Sequence, residues 1–401
     1  MERLYDKLKA YSESDFYAFH MPGHKRNKAL LGIELPYDLD ITEIDGFDDL
    51  HHADGILKEE QERAARVFGA EESHFLVNGS TAGILSAVMG CTHRGDKILV
   101  ARHCHKSIYH AIYMNGLVPR YVYPEFDISM HMNGEISKED VAKALAAEPD
   151  IKAVVIVSPN YDGVVSDVKG IAEVAHSYRI PLIVDEAHGP HFGFHPAFPG
   201  RANDLGADVV INSLHKTLPS LTQTAILHIN GKFANRRRIK KYLDMLQSSS
   251  PSYIFMASLD ACVDFLDGKC EEAFELYVER LQKFREELKP LQHLQILRTE
   301  HYDISKVVIS TANANITSPE LAERLRKEYH LEMEMTGGTY VLAMTTVADT
   351  QEGLDRLKAA LLEIDDQLEA KTAVSGSTEI SGELPRLEQY FTLQEAEDRE
   401  E

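Results

Sequence analysis

The sequence predicts a doubly wound α/β domain followed by a smaller α+β domain. Three observations carry that expectation: short apolar runs alternate with helix-length segments through the first 230 residues, the intervening helices are long enough to cross over a sheet, and 401 residues exceed what one hydrophobic core usually supports. Strand, helix, strand at this rhythm implies a mainly parallel sheet covered on both faces.

The opening residues, with Pro22, Gly23, Gly32 and Pro36, show no sustained period and read as an arm or lid with room for one short helix. Residues 55–68 carry apolar positions at helical spacing, and Gly69 ends that run. Strand-like runs follow at 74–77, 97–101, 120–123, 153–157, 182–184, 208–211 and 225–229, with helices expected at 80–89, 106–114, 138–147 and 168–178. These runs predict a seven-stranded sheet. Ser248-Ser249-Ser250-Pro251 then punctuates the chain before a long helical region at 258–289. Strands at 306–310 and 340–345, with helices at 319–328 and 352–368, complete the second domain. The expected division is an arm at 1–45, a large α/β domain at 46–255, a small α+β domain at 256–370 and an acidic, mobile or loosely docked tail at 371–401.

Bulk properties exclude several functions. No window approaches the ~18 uninterrupted apolar residues of a membrane span, and the N-terminus lacks the basic patch and apolar run of a signal peptide, so a cytoplasmic protein without a membrane partner is expected. Four cysteines, none in a Cys-x-x-Cys arrangement, argue against a disulfide framework or a zinc module. A formal charge of −22 makes a nucleic-acid partner unfavourable and a cationic substrate welcome.

Ligands of open α/β sheets sit beyond the carboxyl ends of the strands, so the polar residues there are the ones to read. After the first strand, Asn78-Gly79-Ser80-Thr81-Ala82-Gly83 leads straight into a helix; its hydroxyls and free N–H groups suit a phosphate, though a capped helix with a tight turn reads the same way. Asp185 ends an apolar run in Val184-Asp185-Glu186-Ala187-His188. A carboxylate there needs a cationic partner such as a protonated pyridine nitrogen, or else serves as a metal ligand or helix cap. Lys216 in Ser213-Leu214-His215-Lys216-Thr217 follows the next strand, where partial desolvation would make its amine a Schiff-base nucleophile. Ser213 and His215 are placed to contact a phosphate. In His103-Cys104-His105-Lys106-Ser107, His105 directly precedes a helix and could lie flat on an aromatic ring; without a third nearby ligand a metal site is a poor reading, and none is expected.

Taken together, these residues resemble the fold type I pyridoxal-5′-phosphate (PLP) decarboxylases that act on ornithine, lysine and arginine. The resemblance runs through Phe19-His20-Met21-Pro22-Gly23-His24-Lys25, Asp40-Ile41-Thr42-Glu43, Asp49-Leu50-His51-His52, the segments from Phe75 to Gly83, His105 to Ser107, Asp185 to Gly189 and Ser213 to Thr217, and Ser248-Ser249-Ser250-Pro251-Ser252-Tyr253. It implies an aspartate-aminotransferase-like fold and decarboxylation of a basic amino acid to its amine, in polyamine biosynthesis. It further implies that Ser80, Thr81, Ala82, Ser213 and His215 bind the cofactor phosphate, that His105 stacks on the ring, that Asp185 pairs with the ring nitrogen and that Lys216 carries the cofactor. Ala187 and His188 would border the ring, His188 lying near its hydroxyl or the substrate carboxylate and donating a proton, as Lys216 also could. Ser248 and Ser250 would reach the phosphate of a neighbouring subunit, making a homodimer with active sites at the subunit interface. His20, His24 and Glu43 would help close the substrate pocket or act as structural hinges.

One departure from the family pattern stands out. Its members usually continue into a further domain with a Pro-Pro-Gly-Ile-Pro stretch, which this sequence lacks; Leu384-Pro385-Arg386-Leu387-Glu388 resembles the approach to it. Two other readings therefore stay open: an aminotransferase or lyase on the same scaffold, for which Arg298 is the nearest candidate carboxylate ligand, and a non-catalytic relative.

Overall fold

A computed structural model of the chain describes residues 3–127, 132–297, 301–371, 390–397 and 399. Helix α1 (Leu4–Ser12) buries Leu4 and Leu8, one turn apart, and a 3-10 turn at Leu50–His52 leads into α2 (Ile56–Phe68). The large sheet is then laid down by β1 (Glu72–Leu76), α3 (Gly79–Cys91), β2 (Lys97–Ala101), α4 (Lys106–Asn115) and β3 (Val118–Val122). After the short pair β4 (Phe126–Asp127) and β5 (Met132–Asn133) come α5 (Lys138–Ala147), β6 (Val154–Val157), α6 (Val168–Ser177), β7 (Leu182–Asp185), β8 (Val209–Asn212), the single turn α7 (Leu214–Thr217), β9 (Ala225–Ile229) and α8 (Arg236–Leu246).

The order across this seven-stranded sheet is β1-β9-β8-β7-β6-β2-β3. Strands β8, β7, β6, β2 and β3 run parallel, and β9 alone is antiparallel to both its neighbours. The mainly parallel sheet expected from the alternating pattern is thus present. Its central strands are buried along their whole length, as strands covered on both faces must be. Register sets Asp185 level with Val157 on one side and Ile211 on the other, at the carboxyl edge of the sheet. Helix α3 lies close to the sheet and to α8 because it is built of small residues. A methyl group at Gly83 would lie 2.6 Å from Leu76 Cδ1, and one at Gly90 would lie 2.5 Å from Ile239 Cγ1.

The remaining elements are α9 (Tyr253–Leu266), α10 (Glu271–Glu287), β10 (Gln295–Ile296), β11 (Lys306–Ser310), α11 (Ser318–Tyr329), β12 (Met335–Thr336), β13 (Tyr340–Met344), α12 (Gln351–Asp365) and α13 (Leu393–Glu397). The helical region expected at 258–289 is two helices rather than one: it starts earlier, at Tyr253 behind a Ser252 cap, and breaks at Asp267-Gly268, where Gly268 takes a φ of +74°. The four-stranded antiparallel sheet β10-β11-β13-β12 packs one face on α10, α11 and α12 through Val307, Ile309 and Val341. Val308, Tyr340 and Leu342 face the other way, onto Met132 and Tyr302. Helix α11 opens with a capping box, Thr317 accepting the Glu320 N–H while Glu320 accepts from the Thr317 N–H.

The N-terminal arm is half docked. Leu4 and Leu8 join a core shared with α2 and α9, whereas Phe16, Tyr17, Phe19, Leu30 and Leu31 are exposed. At the other end, Leu393 of α13 packs against the main core; most of the expected tail, including Leu384-Pro385-Arg386-Leu387-Glu388, lies outside the described residues. Among the described residues no helix is long and apolar enough to cross a membrane.

Candidate active site

The carboxyl edge of the large sheet brings together most of the residues singled out by sequence. Asp185, the last residue of β7, is buried, and its carboxylate accepts a single hydrogen bond, from the Ala187 N–H at 3.1 Å. No helix follows, so the residue is not a helix cap. Burial raises its pKa above the ordinary carboxylate range, with the Lys216 charge and the Ala187 N–H opposing.

Lys216 projects from α7, the turn that follows β8. Its Nζ lies 2.9 Å from His188 Nε2. Desolvation lowers the pKa of its amine, against the pull of Asp185 and Glu334. His188 is buried, its Nδ1 has no hydrogen-bond partner and its ring lies 4.7 Å from that of Tyr161. Burial, then the charges of Lys306 and Lys216, pushes its pKa well below the usual imidazole value, so it is neutral at pH 7. Glu186, next to Asp185, is equally buried but fully engaged: its carboxylate accepts the Ala202 N–H at 2.8 Å and Asn212 Nδ2 at 3.0 Å.

The amino end of α3 opens at the same sheet edge. Helix α3 begins at Gly79, whose φ is +74°, and its N-cap Asn78 makes no side-chain capping bond; Ser80, Thr81 and Ala82 form the first turn around the free N–H groups. The Asn78 side chain instead accepts the Ser248 N–H at 3.1 Å. Ser213 is fully buried and its Oγ has no partner. His215 donates from Nδ1 to the Thr224 carbonyl at 2.7 Å.

His105 caps α4, its Nδ1 accepting the Ser107 N–H at 3.2 Å. The residue as a whole is exposed, yet its imidazole is shielded enough that burial, followed by the Lys216 charge, lowers its pKa. Ser248 and Ser250 are exposed and form a turn in which Ser248 Oγ accepts the Ser250 N–H at 3.2 Å. The arm residues lie apart from this cluster: His20 bonds Tyr11 Oη at 3.0 Å, His24 stacks on Tyr37 and pairs with Asp40 at 3.3 Å, and Glu43 accepts from Thr42 Oγ1. Arg298 lies outside the described residues. Among the described residues no three His, Cys, Asp or Glu side chains form a metal-sized cluster.

Sequence reasoning missed three residues here. Tyr161 covers His188; Glu334, whose carboxylate accepts from Tyr161 Oη, adds a negative charge near Lys216; and Lys306, from the small sheet, adds a buried positive one near His188. Tyr161 follows the carboxyl end of β6 and could have been read there, whereas local pattern gives no signal for Glu334 and Lys306, which reach the site from the second sheet region.

Comparison with known proteins accords with this geometry. The family described as Orn/Lys/Arg decarboxylase, major domain, matches residues 3–362. The arginine decarboxylase of Bacillus subtilis (strain 168) is 34% identical over 392 residues, covering 94% of this chain and 80% of that one. The lysine decarboxylase LdcF of Francisella novicida superimposes with a TM-score of 0.79 at 20% identity, covering 91% of this chain and 60% of that chain. The chain thus spans 60% of the length of that decarboxylase. The alanine–glyoxylate aminotransferase of Nostoc sp. gives a TM-score of 0.62 at 15% identity, over 77% of this chain and 86% of that one. The fold is the one shared by fold type I pyridoxal-phosphate enzymes, and by the extent of the match the chain belongs to the Orn/Lys/Arg decarboxylase family, of which it carries the major domain.

Proposed function

We propose that this chain is a cytoplasmic, PLP-dependent decarboxylase of a basic amino acid, converting arginine, lysine or ornithine to the corresponding amine and CO2 in polyamine biosynthesis. The observation that carries the reading is the pairing at the sheet edge: a desolvated lysine amine at position 216 beside a buried carboxylate at 185 that has only one hydrogen bond of its own.

The residues present fit the cofactor. Ser213 Oγ is buried without a partner, the Asp185 carboxylate has one hydrogen bond only, and the amino end of α3 has no side-chain cap, so each has hydrogen-bonding capacity left over. Asp185 would hold the pyridine nitrogen, Ser80, Thr81, Ala82, Ser213 and His215 the phosphate, and Lys216 the aldehyde carbon, with His105, Ala187 and His188 bordering the ring. When bound, pyridoxal phosphate supplies the sink for the electron pair left at Cα as CO2 departs.

The chain's own part is orientation and proton handling. A buried Asp185 carboxylate keeps a positive partner charged because no water competes for it. Burial lowers the Lys216 amine pKa, so more free base is available for attack than an exposed lysine would offer at the same pH. His188, neutral, accepts a hydrogen bond from Lys216 Nζ at Nε2 and so orients that amine, which can carry the proton that Cα needs. Tyr161, packed on the His188 ring, shields one side of it.

A homodimer is part of the reading. The exposed apolar side chains of the arm, Phe16, Tyr17, Phe19, Leu30 and Leu31, form a patch of the kind that a second copy covers, and Ser248 and Ser250 remain accessible beside the α3 amino end. The test is CO2 release by the PLP-loaded protein from arginine, lysine and ornithine, each with matching amine formation. Release from at least one is expected; release from none, with the cofactor fully bound, would overturn the assignment.

A further inference from the structure

Lys306 opens β11 and is fully buried, yet its Nζ has no hydrogen-bond partner. Its neighbours Val307 and Ile309 point into the small-domain core, so by strand alternation Lys306 and Val308 face the loops of the large sheet. The backbone there makes room for it. Gly163 holds a φ of +106°, and a methyl group on it would lie 2.8 Å from Lys306 Cγ and 3.1 Å from Tyr302 Cε2.

The charged and titratable groups that face Lys306 are Asp303, Lys216, Glu334 and the His188 ring. None of them neutralises it by contact. Asp303 is already bonded by His191 Nε2 at 3.1 Å, by the Ser305 N–H at 2.9 Å and by Ser305 Oγ at 2.7 Å. Glu334 accepts from Tyr161 Oη, and Lys216 carries the same sign. Burial lowers the Lys306 pKa to about 8, despite the attraction of Asp303. A buried ammonium without a partner is unfavourable, and an arriving anion would relieve it.

On the reading above, the cofactor phosphate is taken by the amino end of α3 and Ser213, which leaves Lys306 free of it. The substrate brings a second anion, fixed to the carbon whose amine must reach Lys216. We propose that Lys306 binds the α-carboxylate of the amino-acid substrate. This rests on the decarboxylase reading above and adds a substrate-binding residue to it. A lysine suits a group that must leave, because its ammonium is a single point charge, where an arginine fork would clamp both oxygens. The contact belongs to the bound acid and disappears with CO2, so it strengthens binding of the substrate and contributes nothing to binding of the amine product.

The experiment compares each basic amino acid with its decarboxylated amine. In holoenzyme reduced with borohydride, which locks the cofactor and stops turnover, calorimetry gives both dissociation constants directly. Lys306→Met should weaken the amino acid by about ten- to a hundredfold and leave the amine within about twofold, with Lys306→Arg recovering most of the loss. In steady state the same substitution should raise KM more than it lowers kcat. A version independent of mutant folding uses the unaltered chain: the amino acid should bind more tightly than its methyl ester, which lacks the negative charge. Equal weakening of acid and amine in Lys306→Met, a selective loss of PLP affinity, or equal binding of acid and ester by the unaltered chain would each refute the assignment. Failure of the unaltered holoenzyme to release CO2 from any basic amino acid refutes the decarboxylase reading instead, so the two outcomes stay distinct.

Discussion

Two buried groups of charges in this chain are built on opposite plans. Around Arg63, opposite charges meet: its guanidinium pairs with Glu60, Asp260 and Asp264, Asp264 is bonded in turn by Arg3 at 2.8 Å and Lys269 at 2.7 Å, and Asp260 also accepts the Tyr5 N–H at 3.2 Å. At the carboxyl edge of the large sheet, Asp185 has one backbone donor, Lys216 meets a neutral imidazole, and Lys306 Nζ and Ser213 Oγ meet nothing. Burial of charge is common to both, so it does not mark function. What separates them is where capacity is left open: around Arg63 the unbonded atoms, Glu60 Oε1 and Arg63 Nε, belong to side chains already ion-paired, whereas Asp185, Lys216 and Lys306 are in no ion pair among the described residues. Neighbours Asp185 and Glu186 repeat the contrast within two residues, one carboxylate open and the other saturated.

The contrast can be broken or sharpened by substitution. Lys216→Ala should lower CO2 release by about ten-thousandfold or more and abolish borohydride fixation of the cofactor, read by mass spectrometry; fixation at another lysine would move the site. Arg63→Leu should do the reverse, costing about 3–5 kcal/mol of stability in chemical denaturation while leaving the KM of the surviving folded enzyme unchanged, because it strands buried carboxylates.

Asp185→Asn should lower kcat by about a hundredfold, yet raise or leave unchanged the melting temperature of the apo chain. The sign follows from its folded-state pKa, which burial raises above the unfolded value. The unfolded state ionises first, so stability from this group is complete below the unfolded pKa and is lost as pH climbs toward the folded one. At pH 7 the carboxylate is therefore a cost that asparagine removes, and a clear drop in apo melting temperature would place Asp185 with Arg63 as a structural group. The smallest effect belongs to Ser213→Ala: apo stability within about 0.5 kcal/mol and PLP affinity reduced by about tenfold, measured by absorbance titration, since its hydroxyl bonds nothing in the apo chain.

Much of this was legible from the residues alone. Asp185 ends one apolar strand and Lys216 stands in the turn just after another, and the strand rhythm puts those ends on one edge, so their meeting follows from topology. The sheet itself was legible for the same reason: buried parallel strands are continuous apolar runs bounded by turns. Helix α8 was not, because Arg236-Arg237-Arg238-Ile239-Lys240-Lys241 looks solvated and its buried positions, Ile239 and Leu243, find their partner only in the small residues of α3. Lys306 was illegible for a related reason. A lysine at the start of a strand is ordinarily at the surface, and it is the approach of Gly163 from distant sequence, beside the nearby Tyr302 ring, that covers it.

The one reversed strand, β9, has a consequence for ionisation at the phosphate cradle. Because β9 enters the sheet at the edge where β1 and β8 end, the Thr224 carbonyl faces His215 and fixes a hydrogen on its Nδ1. The neutral ring therefore offers a bare lone pair at Nε2, which repels a dianion. Seating a phosphate against it demands an extra proton, on the ring or on the ester, so loading should take up a proton from the medium and weaken as the medium turns alkaline.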